Sequence, residues 1–195
     1  MITEVLFAIC LALVVYAYLG YPLVLLAMAG ISRLVCRRQI DPDAFEPGVT
    51  LFIPAFNEGD FVDAKLENTR NLIYPAGKLK IVWITDGSDD GSAEKLRGIP
   101  GVSVIHRNER RGKVAAMNHG MQETDTPIVM FTDANTMLNP HAIRRIADLF
   151  ADSRTGCVSG EKRIRGTHLE KAVGAGEGLY WKVESWIKRL ESETG

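Results

Sequence analysis

Carboxylates, glycines and cations gather in four clusters along this chain, each where an apolar run ends. Pro54-Ala55-Phe56-Asn57-Glu58 follows Val49-Thr50-Leu51-Phe52-Ile53. Asp86-Gly87-Ser88-Asp89-Asp90-Gly91-Ser92 follows Ile81-Val82-Trp83-Ile84-Thr85. Arg110-Arg111-Gly112-Lys113 comes soon after Val102-Ser103-Val104-Ile105, and Asp133-Ala134-Asn135 follows Ile128-Val129-Met130-Phe131. In an open, mostly parallel sheet, ligands sit at the carboxyl ends of the strands, so the four clusters are expected to meet in one crevice. Its contents suit a nucleotide diphosphate and its metal.

Each cluster has a plainer reading beside the chemical one. Pro54 ends a strand and Asn57 caps a helix; the chemical reading adds Phe56 as a flat surface for a base and Glu58 as an acceptor for base or ribose groups. In the second loop Gly87 and Gly91 permit tight turning. Its three carboxylates in five positions repel one another unless they are solvated or share cations, and Asp86 stands nearest the strand end for base or ribose contacts. Arg110, Arg111 and Lys113 form either a solvated basic turn or a phosphate site, since they precede a helix start whose dipole attracts anions. Asp133 and Asn135 are candidate ligands for Mg²⁺ or Mn²⁺, which favour hard oxygen donors and take one or two protein carboxylates plus phosphate oxygens; otherwise Asp133 caps a turn. His106, His119, His141 and His168 are isolated and read as structural or solvated, and no catalytic triad stands out. Lys162-Arg163-Ile164-Arg165 reads as a solvated face, with a phosphorylated acceptor or lipid headgroups as the alternative.

These loops need a scaffold, and the hydrophobic pattern supplies one. Near-continuous apolar strands alternate with helical stretches, which predicts βαβ units and a parallel sheet covered on both faces. Asn57 is expected to cap a helix reaching about Asn71, with Phe61, Lys65-Leu66 and Leu72 at helical spacing. A short helix follows Gly91-Ser92 and ends at Gly98. Another starts near Lys113, with Val114, Met117 and Met121 on one side. Asn139-Pro140 is expected to open a helix with Ile143, Ile146 and Phe150 inward. Leu179, Tyr180, Val183, Trp186, Ile187 and Leu190 form the apolar stripe of a last, amphipathic helix. That helix packs on the sheet or a neighbouring helix, or, with Trp181 and Trp186 beside basic residues, lies at a membrane interface.

The N-terminal segment adds a membrane. From Val5 to Ile31 no residue is charged. As a helix this stretch is roughly 40 Å long, enough to cross a hydrocarbon core about 30 Å thick, and Pro22 is expected to kink it. Arg33, Arg37 and Arg38 follow, whereas the short N-terminus carries only Glu4, which orients the remainder of the chain toward the cytoplasm. A cleaved signal peptide is the competing reading, because Ala27-Met28-Ala29 resembles a cleavage site. The absence of Lys and Arg before the apolar stretch, and its length, favour a retained anchor. Residues 1–4 then form a tail, 5–31 a transmembrane helix, 32–47 a polar juxtamembrane linker, and 48–195 the folded domain. A net charge of -1 gives no reason to expect nucleic acid. Cys10, Cys36 and Cys157 form neither a disulfide framework nor a metal-type spacing.

In this order, the four clusters resemble those of the family 2 glycosyltransferases of the GT-A fold, with Gly112-Lys113-Val114-Ala115-Ala116-Met117-Asn118 extending the third. The likeness covers about Val49 to Leu190. It implies an α/β, Rossmann-like domain with a mostly parallel sheet, here preceded by one transmembrane helix. It also implies inverting transfer of a sugar from a nucleotide sugar, usually a UDP-sugar, with Mg²⁺ or Mn²⁺. By position, Ala55, Phe56 and Glu58 would hold the base, Asp86 the uracil or ribose, and Lys113 would approach the diphosphate. Asp133 would bind the metal as the first member of an Asp-x-Asp motif whose third member is here Asn135. The N-terminal helix is similar to that of the membrane-bound, polysaccharide-building branch, which implies a polysaccharide or lipid-linked acceptor at the cell membrane, with one span within residues 1–195 and, from the flanking charges, a cytoplasmic catalytic domain. The family's catalytic base and its Gln-x-x-Arg-Trp motif are not identifiable before Gly195. The chain therefore reads as the donor-binding half of a longer enzyme, with the base farther on and little transfer expected from residues 1–195 alone. A nucleotidyltransferase would carry a glycine-rich, basic loop after the first strand, where Pro54 to Glu58 stands instead. A non-catalytic, membrane-anchored binding module gives no reason for acidic and basic loops at successive strand ends.

Overall fold

A computed structural model describes residues 1–35, 45–161 and 174–194, with side chains omitted at 35 and 174–181. The Lys162–Arg165 stretch, His168 and Cys36 therefore lie outside the described residues, as do the side chains of Leu179, Tyr180 and Trp181. The chain divides into two compact units, Met1–Gln39 with Ser159–Gly195, and Ile40–Val158.

The Ile40–Val158 unit is a parallel α/β sheet. Strands β1 (Val49–Ala55), β2 (Leu79–Asp86), β3 (Val102–Arg107) and β4 (Ile128–Phe131) lie in the order β3-β2-β1-β4, all parallel. Helices α3 (Val62–Arg70), α4 (Ser92–Arg97), α5 (Lys113–Gln122) and α6 (Ala142–Leu149) connect and cover the strands. Both faces of the central strand are buried, which explains why β1 lacks polar alternation. On one face Val49, Leu51, Ile53 and Trp83 pack with Val62, Leu66, Leu96, Ile143 and Ala147. On the other, Phe52 and Ile84 pack with Ala116. Thr50 shares that second face, and its buried hydroxyl meets those of Thr124 (2.8 Å) and Thr126 (2.7 Å), so burying it leaves no orphan.

Several local expectations are corrected. Pro54 lies within β1 rather than ending it. Along β1 the even-numbered residues face β4: Gly48 and Phe52 carbonyls accept from Ile128 (3.4 Å) and Thr132 (3.0 Å). Pro54 therefore turns its missing N–H toward β4, whose pairing with β1 stops at Phe52–Phe131, and no ladder bond is lost there. Asn57 caps no helix. It sits at φ 51°, and a 3₁₀ turn over Gly59–Phe61 leads into α3. Asn139 holds only a turn, its side-chain oxygen accepting from the His141 N–H (3.0 Å), and α6 begins at Ala142. On α5, Val114 and Met121 are exposed, and Ala116 and Gly120 form the buried side. Small residues are required there because α5 lies close on the sheet. Phe45 packs against the core, Glu46 pairs with Lys78 and Arg144 (3.1 Å each), and the Pro47 carbonyl accepts from the Tyr74 hydroxyl (2.6 Å), so the packed domain starts ahead of β1.

In the other unit one helical run spans α1 (Ile2–Val15), a π turn (Tyr16–Gly20) and α2 (Tyr21–Val35). Ile2–Leu34 is long and apolar enough to cross a membrane. The π turn falls just before Pro22, where the ring would otherwise press on the preceding turn. Helix α7 (Gly174–Thr194) packs on α2: Leu190 and Ile187 meet Leu25, Ala29 and Tyr21. The Tyr21 hydroxyl donates to Glu191, and Arg33 pairs with Glu193 at 2.6 Å. Val183 and Trp186, on the same predicted stripe, remain exposed.

A Cβ at Gly120 would stand 2.6 Å from Ile84 Cδ1 and 2.9 Å from Phe52 Cε1, both in a filled core. Overpacking of this kind costs about 1–3 kcal/mol, against about 1 kcal/mol gained in helix propensity. Gly120→Ala is expected to destabilise the domain by about 1 kcal/mol, read as a lower urea midpoint at unchanged slope.

Candidate functional site

The sheet order turns back at β1. Connections run outward through β2 and β3, then return to β4 on the other side, so the crevice between the ends of β1 and β4 is the topological switch point. The four polar loops at these strand ends are tied to one another.

The first and second loops are latched by Asn57 and Asp89. The Asn57 amide donates to Asp89 Oδ1 (2.8 Å) and its Oδ1 accepts from the Asp89 N–H (3.1 Å). Asn57 N–H also donates to Ser88 Oγ (3.2 Å), and Gly59 N–H to Asp90 Oδ2 (2.7 Å). Burial opposes ionisation of Asp90, but the Ser92 hydroxyl and N–H together with Gly59 outweigh it and hold the carboxyl below its ordinary value. Two of the three carboxylates in this loop are therefore spent on neighbouring donors, which answers their crowding.

Asp86, the last residue of β2, is 5% exposed and joins the second loop to the third. Its Oδ2 accepts from the backbone N–H groups of Arg111 (2.9 Å) and Gly112 (2.6 Å), while Oδ1 is buried without a partner. Gly87 adopts φ +73°, and a Cβ there would meet the Arg110 backbone nitrogen at 2.7 Å, so only glycine lets the two loops touch. Arg110 in turn lays its guanidinium 3.8 Å over the Phe56 ring, covering one face of the expected base platform.

The third and fourth loops meet through Lys113, the first residue of α5, whose ammonium pairs with Asp133 Oδ1. Asn135 is exposed, and its oxygen accepts from the Thr136 hydroxyl (3.3 Å). Ala55 closes β1 and is buried; Phe56 is exposed. Glu58 is half-buried, with Oε2 lacking a partner. Burial, then the Asp133 charge, raises the Glu58 carboxyl above its ordinary value, with Lys113 and Lys65 pulling the other way. Glu58, Asp133 and Lys113 thus share one electrostatic site. Among the described residues no three of His, Cys, Asp and Glu group as a metal cage. Asp133 and Asn135 would supply two hard oxygens, a set that suits Mg²⁺ or Mn²⁺ completed by phosphate oxygens. His106 is structural: its Nδ1 meets Thr85 Oγ1 (2.8 Å) and its Nε2 meets Asn108 (3.0 Å).

Three participants escaped sequence reasoning: the Asn57 latch, the Arg110 cover and Lys65. Lys65 stands on the buried side of α3 with Val62, Leu66 and Thr69, fully enclosed. Its ammonium donates to Thr132 Oγ1 (3.1 Å) and to the Thr136 carbonyl. Burial pulls its pKa down to about 8, opposed by the charges of Asp133 and Glu58. A lysine at the buried phase of a helical repeat was the signal available in the sequence.

The class that this fold defines is a GT-A-type α/β glycosyltransferase domain. The chain belongs to glycosyl transferase family 2, whose description matches residues 50–185. It is 33% identical over 131 residues to poly-beta-1,6-N-acetyl-D-glucosamine synthase of Staphylococcus aureus (strain MSSA476), covering 65% of this chain and 31% of that protein. The protein of the same name from Staphylococcus epidermidis is 30% identical over 153 residues, covering 76% of this chain and 36% of the relative. The chain thus spans about a third of the length of these curated relatives. A solved mannosyltransferase, PcManGT from Pyrobaculum calidifontis in complex with GDP-Man and Mn²⁺, superposes with a TM-score of 0.65 at 30% identity, covering 80% of this chain and 47% of that one.

The Asp86 clamp is directly testable. Asp86→Ala removes the acceptor of two part-buried N–H bonds, an expected loss of about 1–3 kcal/mol at the usual net worth of a hydrogen bond to a charged group. Asp86→Asn keeps an acceptor and should lose markedly less. Amide hydrogen exchange at Arg111 and Gly112 should accelerate in the alanine variant and much less in the asparagine variant.

Proposed function

We propose that this chain supplies the donor-binding part of a membrane-anchored, inverting glycosyltransferase that takes a sugar from a nucleotide sugar, a UDP-sugar first of all, to a growing polysaccharide or a lipid-linked glycan. The observation that carries the reading is the crevice at the switch point, where Glu58 and Asp133 face a cation at the start of α5. The relatives' names make N-acetylglucosamine the first sugar to test.

In this reading Ala55, Phe56 and Glu58 line the place of the base and ribose. The free Oδ1 of Asp86 accepts from the base or ribose, at a fixed height because Oδ2 is held by two backbone donors. Lys113 exchanges Asp133 for the diphosphate, which also meets the N-terminus of α5. Asp133 and Asn135 would hold Mg²⁺ or Mn²⁺ together with phosphate oxygens. The bound ion would stabilise the charge of the departing diphosphate. The residues of the chain orient the donor so that its anomeric carbon faces an acceptor hydroxyl. Ile2–Leu34 serves as a membrane anchor in the cell membrane, and Arg33 near its end favours the catalytic unit on the cytoplasmic side.

Calorimetric titration of UDP into the detergent-solubilised chain, with and without Mn²⁺, tests the reading. Binding should strengthen with Mn²⁺, and Asp133→Ala should remove that gain while circular dichroism stays unchanged. A folded chain with no metal-dependent UDP binding would sink the proposal. A preference for GDP over UDP would retain the site and change the base.

A further inference from the structure

We infer that Lys65 is a positioning residue for the Asp133–Asn135 loop, a fixed ammonium beneath the turn that aims Asp133 at the place where cation and diphosphate meet. The inference rests on the donor-site reading proposed above and extends it to a residue outside the crevice-lining loops.

Lys65 is 0% exposed, yet no carboxylate lies within ion-pair distance of it among the described residues. Lysine is almost never fully buried without a paired charge, and a leucine or methionine would fill the same space at less cost to folding. Its donors go instead to the two ends of one turn, the Thr132 hydroxyl (3.1 Å) and the Thr136 carbonyl. Between them lie Asp133, the fully buried Ala134 and Asn135. The near end of the turn is already tied to the sheet, because Thr132 N–H donates to the Phe52 carbonyl (3.0 Å). Within the turn, Thr136 N–H donates to the Asp133 carbonyl (3.2 Å). Lys65 fastens the far end to α3, so the turn is held from β1 and from α3 together. The opposing charges that Lys65 feels are those of Asp133 and Glu58, the two carboxylates of the crevice. A neutral strut would satisfy the packing alone; a cation also balances two carboxylates before a donor and its metal arrive.

The test compares UDP affinity with and without Mn²⁺ in the wild-type chain, Lys65→Met and Thr132→Val, each checked by circular dichroism and thermal melting. Lys65→Met should leave metal-free UDP affinity near the wild-type value, because base contacts come from other loops. The gain on adding Mn²⁺ should fall about tenfold or more, the range for residues that orient a metal ligand from behind. Thr132→Val, which removes one acceptor but keeps the ammonium, should lose part of the same gain. A wild-type gain in Lys65→Met overturns the inference. So does a parallel fall of both affinities with the melting temperature, which marks a packing strut only. If Lys65→Met does not fold, Thr132→Val decides, and an unchanged gain there overturns it. A wild-type chain without any metal-dependent gain removes the donor-site reading itself, and this inference with it.

Discussion

The unequal pairing of β1 is the constraint on which the site depends. It bonds to β2 over its whole length, Val49 to Ala55, but to β4 only from Val49 to Phe52. Past Phe52 the two strands part, and the backbone between them is released from the ladder. Pro54 fits there because its missing N–H faces the gap. The loops that continue β1 and β4 stand on opposite walls of that gap, which places Glu58 opposite Asp133.

Charge then organises what the backbone leaves open. Burial, then the Asp133 charge, raises the cost of ionising Glu58. Lys113 from above and Lys65 from below offset this, one exposed and exchangeable, the other enclosed and fixed. Asp86 serves a different purpose: its carboxylate replaces a missing strand neighbour by accepting from two consecutive backbone amides. The loop before α5 thereby acquires a rigid shape without a side-chain cap at Gly112. Such preorganisation reduces the ordering that a ligand must impose on binding.

The apolar N-terminal helix obeys a separate logic. Its length and lack of charge make it able to cross a bilayer, and the π turn before Pro22 keeps the helix continuous where an ordinary turn would clash. Glu191 and Glu193 of α7 find partners in Tyr21 and Arg33 on α2, so the polar edge of that helix pair is matched as well as its apolar seam.

Much of this was legible in the residues themselves. Four near-continuous apolar runs, each followed by a polar cluster, determined a parallel sheet with its chemistry at one end, because helices cover both faces of such a sheet. Ala55, Phe56, Glu58, Asp86, Asp133 and Asn135 all stand at or just past the ends of their strands, and Lys113 at the start of α5. Partners were another matter. Asn57 reads as a helix cap from its neighbours, but across thirty-two positions Asp89 offers it two hydrogen bonds, and those hold it at a positive φ. Lys65 reads as one more position on a helix face until α3 docks and its ammonium meets a hydroxyl and a carbonyl from beyond β4. Val114 and Met121 were the larger apolar residues of their helix, yet Ala116 and Gly120 went inward, because the distance between α5 and the sheet admits no more. Local pattern determined which elements form and where polarity collects; only tertiary packing decided which polar groups meet, since hydrogen bonds and close contacts depend on distances that no spacing along the chain encodes.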